Sequence, residues 1–500
     1  MKTTRAPAIA VIVAVLLVVL LFDPDPRRAG TDAPTSIAAS VPSSFSSAAA
    51  QSDVWFCAAG TATENGFADH RVLLINTTDV ERVASVNAVG SRVAPANRGP
   101  NGSRRVTLPP YARSEVRLAE LVPNAAYASA TIELSGGGVV VEHSITGPTG
   151  SDRAPCATAA SAEWFVPLSA TATEKNPTAR AVLVLYNPFA DNAVVNIDFV
   201  TDAASAAAGI ESMVVGPGAV EIVDLTALVP VAEQLATAVR ARAGRVVVDR
   251  IEVFNDAQAR RDLVLTAGVP ATAPTWFFPS GRIGAPRQER LVVFNPSQER
   301  AEVVVEVRPD NRRLLIEPFD LQVGAGRFVV LDLHNQKRLS DAGVTGYSVI
   351  VRSLGAAVAV DRLVTVAPGQ PGAGASSTTG SAFAAATVVV DGSVSETDPG
   401  ELIVFNPNAR AIAAITFEVI ANGQRKAAPA GTEFELQPGE RKSMPFASLG
   451  TGNFTVIISA SAPIVAEREN ADKNARTASM GIPDRATAKI PEPITLELGE

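Results

Sequence analysis

Three landmarks return in phase along this chain, and that periodicity limits its fold more than any other feature. An apolar run ending in asparagine appears as VLLIN at Asn76, LVLYN at Asn187, LVVFN at Asn295 and LIVFN at Asn406. A Trp-Phe pair precedes three of them, at Trp55, Trp164 and Trp276. An acid closing a valine-rich run follows each asparagine at a nearly constant distance, at Glu142, Asp249, Asp361 and Glu467. All three landmarks share a period of about 110 residues, and self-similarity at fixed spacing is the mark of a repeated fold. The chain is therefore read as four copies of one unit.

Inside a copy the residues read as strands. In the second, RAVLVLYN stops at Pro188, which has no N–H for a ladder, and AVVNIDFV alternates and is expected to pair back. The asparagine is expected to start the turn, its side chain capping nearby backbone N–H groups. LATAVRARAG and RVVVDRIEVF are expected to form a hairpin about Gly244. About seven strands and no long helical period predict an immunoglobulin-like or fibronectin-like β-sandwich in every copy. The predicted boundaries are 54–157, 158–270, 271–370 and 381–484, with 371–380 a flexible linker and 485–500 an unfolded or loosely docked tail. The first three domains are expected to form a semi-rigid rod.

The N-terminus sets the expected compartment. Lys2 and Arg5 belong to a short segment, 1–5, read as cytoplasmic, and the unbroken apolar run Ala6–Phe22 follows it. A membrane helix needs about 17–25 residues and a signal-peptide core about 7–15, so the run sits at the border between them. Residues 6–22 are read as an uncleaved signal anchor, a single-pass transmembrane helix with the C-terminal part outside; cleavage and secretion is the alternative. Residues 23–53, rich in Ala and Ser, are expected to be a disordered spacer. The net charge of −8 argues against a nucleic-acid surface.

Each candidate for chemistry has a structural alternative. Asp249-Arg250, Asp361-Arg362, Glu467-Arg468 and the variant Glu142-His143 could be one binding site per domain. Neighbours on a strand point to opposite faces, however, so fold maintenance is expected, with the acid capping or pairing across a sandwich edge. The three tryptophans could stack on sugars but are expected to plug the cores. Cys57 and Cys156 are expected to form a disulfide joining the start of the first copy to its end. The rival reading, a Cys–His pair with His70 or His143, has no local signature. His334 is expected to be solvated. No GxSxG, HExxH, P-loop or calcium-loop motif occurs.

These landmarks (Trp55, Cys57, Asn187-Pro188, Asn295-Pro296, Asp249-Arg250) resemble those of an actinobacterial family of secreted or membrane-anchored proteins catalogued as a domain of unknown function. The resemblance implies an envelope location and a non-catalytic role, and supplies no site. The expectation is a non-enzymatic array without cofactor or metal, held at the cell membrane and binding or scaffolding an envelope protein or polysaccharide. Secreted adhesin-like and hydrolytic roles are the rivals. No cluster of carboxylates, or of His with Asp or Glu, is expected in one cleft.

Overall fold

The strands fall into four sets, each split between two antiparallel sheets that pack as a sandwich. In this computed structural model the described residues are 43–92, 99–172, 179–202, 207–229, 231–256, 260–394, 400–471 and 475–491. The expected cytoplasmic segment and membrane helix, residues 1–22, lie outside them, as do most of the spacer and the end of the tail. No helix among the described residues is long and apolar enough to cross a membrane.

The first copy contains β1 (Asp53–Cys57), β2 (Asp69–Asn76), β3 (Arg82–Gly90), β4 (Asn101–Leu108), β5 (Arg113–Arg117), β6 (Ala128–Leu134), β7 (Val139–Gly147) and β8 (Gly150–Pro155). One sheet has the order β1-β6-β3-β4 and the other β5-β2-β7-β8. The second copy repeats this with β9 (Glu163–Val166), β10 (Arg180–Tyr186), β11 (Ala193–Thr201), β12 (Ala207–Val215), β13 (Val220–Asp224), β14 (Leu235–Ala243), β15 (Val247–Asp256) and β16 (Arg260–Ala267). The third has β17 (Thr275–Phe278), β18 (Arg287–Asn295), β19 (Ala301–Pro309), β20 (Phe319–Val323), β21 (Arg327–Asp332), β22 (Tyr347–Gly355), β23 (Ala359–Val366) and β24 (Gly374–Thr379). In the fourth, β25 (Ala385–Val394), β26 (Glu401–Phe405), β27 (Ala413–Ala421), β28 (Gln424–Ala427), β29 (Phe434–Leu436) and β30 (Arg441–Pro445) precede β31 (Gly452–Ala471), which runs through both sheets; β32 (Arg476–Met480) and β33 (Ile482–Pro483) follow.

The strand order departs from the immunoglobulin expectation. There the first strand pairs with the second; here the first pairs with the sixth and the second with the seventh. The expected hairpin about Gly244 is also absent: β14 and β15 belong to opposite sheets, as do β10 and β11. Gly244, at φ +72°, serves a crossing between sheets, because successive strands here mostly change sheet.

The repeated asparagine holds these crossings. Asn187 donates through Nδ2 to the carbonyls of Asp191, Val215 and Gly216 at 2.7, 3.0 and 3.0 Å and accepts from the Phe189 N–H at 3.0 Å. Asn76 and Asn295 each donate to three corresponding carbonyls, and Asn406 to those of Ala411 and Leu436. One buried amide thus joins the end of the second strand to the turn between the fourth and fifth, satisfying carbonyls that burial would otherwise leave without donors.

The copies do not form a rod. Val41–Glu500 is one compact unit. The last strand of each sandwich meets those of its neighbours in a cycle: β8 touches β16 and β32, and β24 touches β16 and β32. Residues 374–379, read as part of a flexible linker, form β24 and are largely buried. Their small side chains serve close approach rather than mobility: a Cβ on Gly374 would lie 2.4 Å from Asp262 Oδ2 and 2.8 Å from the Arg476 nitrogen. Asp262 Oδ2 accepts the N–H groups of Ala375 and Arg476 at 3.0 and 2.7 Å, linking the second, third and fourth copies.

The spacer and tail also contain ordered parts. Phe45 is buried; its N–H donates to the Pro483 carbonyl at 3.1 Å and its carbonyl accepts from the Arg485 N–H at 2.9 Å. Ala384 and Lys489 exchange two backbone hydrogen bonds. Cys57 and Cys156 form a disulfide.

Candidate functional site

The acid–cation pairs account for the cycle. Each cation reaches past its own sandwich to the acid of the next copy. His143 Nε2 lies 3.8 Å from Asp249 Oδ2, Arg250 Nη1 lies 3.5 Å from Asp361 Oδ2, and Arg362 binds Glu467. Arg468 Nη1 lies 2.9 Å from Glu142 Oε2, which returns the series to the first copy. All eight side chains are buried. The pair members face away from each other, as expected of strand neighbours. The acid does more than cap an edge, however: it is the socket for a neighbouring copy. It also binds backbone there, with Asp249 Oδ2 accepting the N–H groups of Ala58 and Ala59 at 2.8 and 3.1 Å and Glu467 Oε2 that of Ser280 at 3.0 Å.

Four equivalent junctions result, and their linings differ. At the first-to-second junction, Ile251, Val253, Leu263 and Leu265 pack with Phe67, Ile145 and Ala154 of the first copy. At the second-to-third, Leu363 and Ala375 pack with Leu168, Phe254 and Val264. At the third-to-fourth, Glu469 accepts from Arg287, Arg476 and Ser280.

The fourth-to-first junction differs. The matching positions are Ser144, Thr146, Ser151 and Arg153, and they line a cavity of ≈ 280 Å³. Arg71 and Glu115 complete its first-copy wall, while Asp391, Ser393, Arg468, Asn470 and Thr477 face them from the fourth. Among the described residues, no aromatic side chain lines this cavity.

This arrangement corrects the expectation that carboxylates do not cluster. Closure of the cycle brings Glu115, Asp152 and Asp391 to one cleft, from positions too far apart in sequence to be associated beforehand. Each is engaged: Glu115 Oε1 accepts from Arg71 at 2.7 Å, Asp391 is held by Arg113, Arg153 and Thr455, and Asp152 accepts the N–H groups of Arg153 and Leu265, both at 2.8 Å. Burial, with Asp262 nearby, holds the Asp152 carboxyl well above the usual carboxylate range, against the lowering effect of the two backbone N–H groups. Arg468 Nη1 serves Glu142 and the Asp391 carbonyl, while its buried Nη2 has no hydrogen-bond partner among the described residues. The walls thus offer arginine forks, hydroxyls and an amide, which suits a small ligand rich in oxygen atoms.

The remaining sequence candidates sit in the frame. Trp55, Trp164 and Trp276 are buried, and the last two donate to the carbonyls of Val246 and Val358 at 2.7 and 2.8 Å. His334, expected to be solvated, is half-buried and its Nδ1 meets the Glu289 carbonyl at 3.1 Å. His70 and His143 are buried and joined at 3.1 Å. His143 also lies close to Cys57 and Cys156, but both sulfurs are consumed by the disulfide, which leaves neither a catalytic thiol nor a thiolate ligand.

The sequence profile of a family described as a family of unknown function (DUF5719) matches residues 43–167, 148–249 and 261–489. No curated protein matches the chain. Among solved structures, Thermotoga maritima 1070 is 17% identical, covering 22% of this chain and 93% of its own, with a TM-score of 0.20. The Anabaena sensory rhodopsin transducer is 18% identical, covering 18% and 88%, with a TM-score of 0.16. A tetra-tandem repeat from the extending region of a large adhesion protein is 11% identical, covering 87% and 100%, with a TM-score of 0.09.

Proposed function

We propose a function for a chain that belongs to this family of unknown function: a non-catalytic, membrane-tethered scaffold outside the cell that binds an oxygen-rich envelope ligand at its closing junction. The apolar run Ala6–Phe22 is the tether. The observation that carries the binding role is the lining of the closing junction: at positions where the first-to-second and second-to-third junctions are apolar, it has hydroxyls, an amide and arginines around a cavity, beside the buried Arg468 Nη2 without a partner among the described residues. A fragment of envelope polysaccharide has the hydroxyl and carboxylate groups such walls accept.

A hydrolytic reading draws on Asp152, whose carboxyl pKa burial raises, in the same cleft. Against it stand the engagement of Glu115 and Asp391 by arginines and of Asp152 by two backbone N–H groups, because acid–base catalysis needs carboxyl groups free to meet the reacting atoms. The test uses the full chain in detergent, with purified envelope polysaccharide fragments and calorimetric detection. Binding by the wild type and its loss in Ser393→Trp, which fills the cavity, is the expected result. Release of reducing sugar ends, abolished in Asp152→Asn, would establish the hydrolytic reading instead. Membrane fractionation with N-terminal sequencing tests the tether.

A further inference from the structure

Three basic members of the cycle are arginines, which keep their proton in proteins, and the fourth is His143, which burial and then the neighbouring His70 hold well below its ordinary range. Its surroundings form a chain of acceptors. His70 Nδ1 lies 2.8 Å from the Ala128 carbonyl, His70 Nε2 lies 3.1 Å from His143 Nδ1, and His143 Nε2 faces Asp249 Oδ2 at 3.8 Å, with the Ala59 carbonyl beside it. The first two gaps each need one hydrogen, and the third, at ion-pair rather than hydrogen-bond distance, is favourable only with a proton on Nε2 or Oδ2. Two neutral imidazoles supply only two, and an ionised Asp249 supplies none. With Nδ1–H groups on both rings, the His143 Nε2 lone pair points at a carboxylate, and this nitrogen has no hydrogen-bond partner among the described residues. The opposite tautomers move the conflict to Ala128. One added proton, on Nε2 or on Oδ2, removes the conflict.

Nothing else among the described residues there can supply it. From β2 the site is faced by His70, with Asp69 adjoining, and from β15 by Asp249; β1 and the end of β8 contribute the Cys57–Cys156 disulfide, which does not titrate. Farther along the junction lie the apolar side chains of Ile251, Leu263 and Leu265 and the buried Asp152 carboxyl, which accepts from the Leu265 N–H at 2.8 Å.

We propose that the His143–Asp249 contact is a proton-operated latch, making the first-to-second junction the pH-sensitive member of the cycle. One proton closes it. Loss of that proton leaves a buried carboxylate, held by the Ala58 and Ala59 N–H groups, beside a lone pair, and uptake of further protons places two imidazolium ions 3.1 Å apart. Both loosen the junction. The direction of the shifts agrees: burial lifts the Asp249 carboxyl to about 7 and lowers His70 to about 4, so the one-proton state spans mildly acidic to neutral pH.

Hydrogen–deuterium exchange on the full chain at pH 6, 7 and 9, corrected for intrinsic rates, tests this. The β1 and β15 amides of the wild type are expected to exchange at least tenfold faster at pH 9 than at pH 6, while β17 and β23, at junctions closed by arginine, change less than twofold. In Asp249→Asn the amide oxygen keeps the Ala58 and Ala59 N–H groups and no carboxyl titrates at the contact, so the difference is expected to vanish. Uniform acceleration at all four junctions, or none at the first-to-second junction of the wild type, overturns the proposal whether or not the variant folds.

Discussion

Arg468 donates through Nη1 to Glu142 Oε2 at 2.9 Å, joining residues 326 positions apart. This bond sits between the first and last copies, so it senses closure of the cycle rather than the integrity of one sandwich. Both side chains are 3% exposed. Removing one partner of a buried pair costs about 3–5 kcal/mol, and here Arg153, 3.9 Å from Glu142, offsets part of the charge left behind, which favours the lower end. Arg468→Met is therefore expected to lose about that much in urea unfolding. The double variant Arg468→Met/Glu142→Gln should recover part of the loss, and a double-mutant cycle measures the coupling directly.

The asparagine keystones make a sharper prediction than their place in turns suggests. Asn295→Ala removes the side-chain donor from the carbonyls of Val323 and Gly324 and leaves that of Glu299 with the Ser297 hydroxyl alone. At about 1–3 kcal/mol for an unsatisfied buried group, and with water admitted to the outermost, a loss of about 3 kcal/mol is expected. Asn295→Asp keeps the shape but brings acceptor to acceptor and should cost more. Chemical denaturation of both variants decides the order.

Stability should also depend on pH through His70. Its folded pKa of about 4 lies below the ordinary 6.5, so below pH 6.5 the unfolded chain binds a proton that the folded chain refuses, and stability falls as pH drops from 6.5 toward 4. Asp249 acts in the opposite sense: with a folded pKa of about 7 against 3.8, it favours the folded state most at low pH, and that contribution is lost as pH rises toward and through 7. His70→Gln is expected to flatten the acid limb of the stability–pH curve by about one proton, leaving the alkaline limb in place. An unchanged acid slope would show that His70 does not titrate on unfolding.

The disulfide closes a separation of 99 residues within the first copy. Loss of the bridge in Cys57→Ala/Cys156→Ala is expected to cost about 2–5 kcal/mol, with about 4.7 kcal/mol the chain-entropy figure for a loop of this length. Calorimetry with and without a phosphine reductant on the wild type provides the control.

How much of this was legible in the residues differs from level to level. The four copies and their strand-rich character followed from spacing and alternation, and the Cys57–Cys156 pair from there being two cysteines at the ends of one copy. The cycle did not follow, although two signals pointed to it. The runs VLVLY and LVVF are apolar at consecutive positions, and such a strand is buried on both faces: one face lies in its own sandwich and the other against a neighbour, as Phe294 shows by packing on Phe165 with ring centroids 6.4 Å apart. The adjacent acid and cation, aimed in opposite directions, imply one partner on either side in every copy. The strand order and the cavity were out of reach, because they depend on contacts between positions hundreds of places apart, such as Arg153 with Asp391. The Gly-Ser-Thr stretch at 371–380 misled because small residues suit a crowded centre as well as they suit a loose tether.

An open stack of repeats has two end units, each with one neighbour, and needs special surfaces there. Here the contacts among β8, β16, β24 and β32 leave no end unit. Melting any one sandwich uncovers two of its neighbours at once, which penalises partial unfolding twice. Heating should then yield a single transition for all four, and a version of the chain cut between β8 and β9 and rejoined through its old termini should settle into the same arrangement.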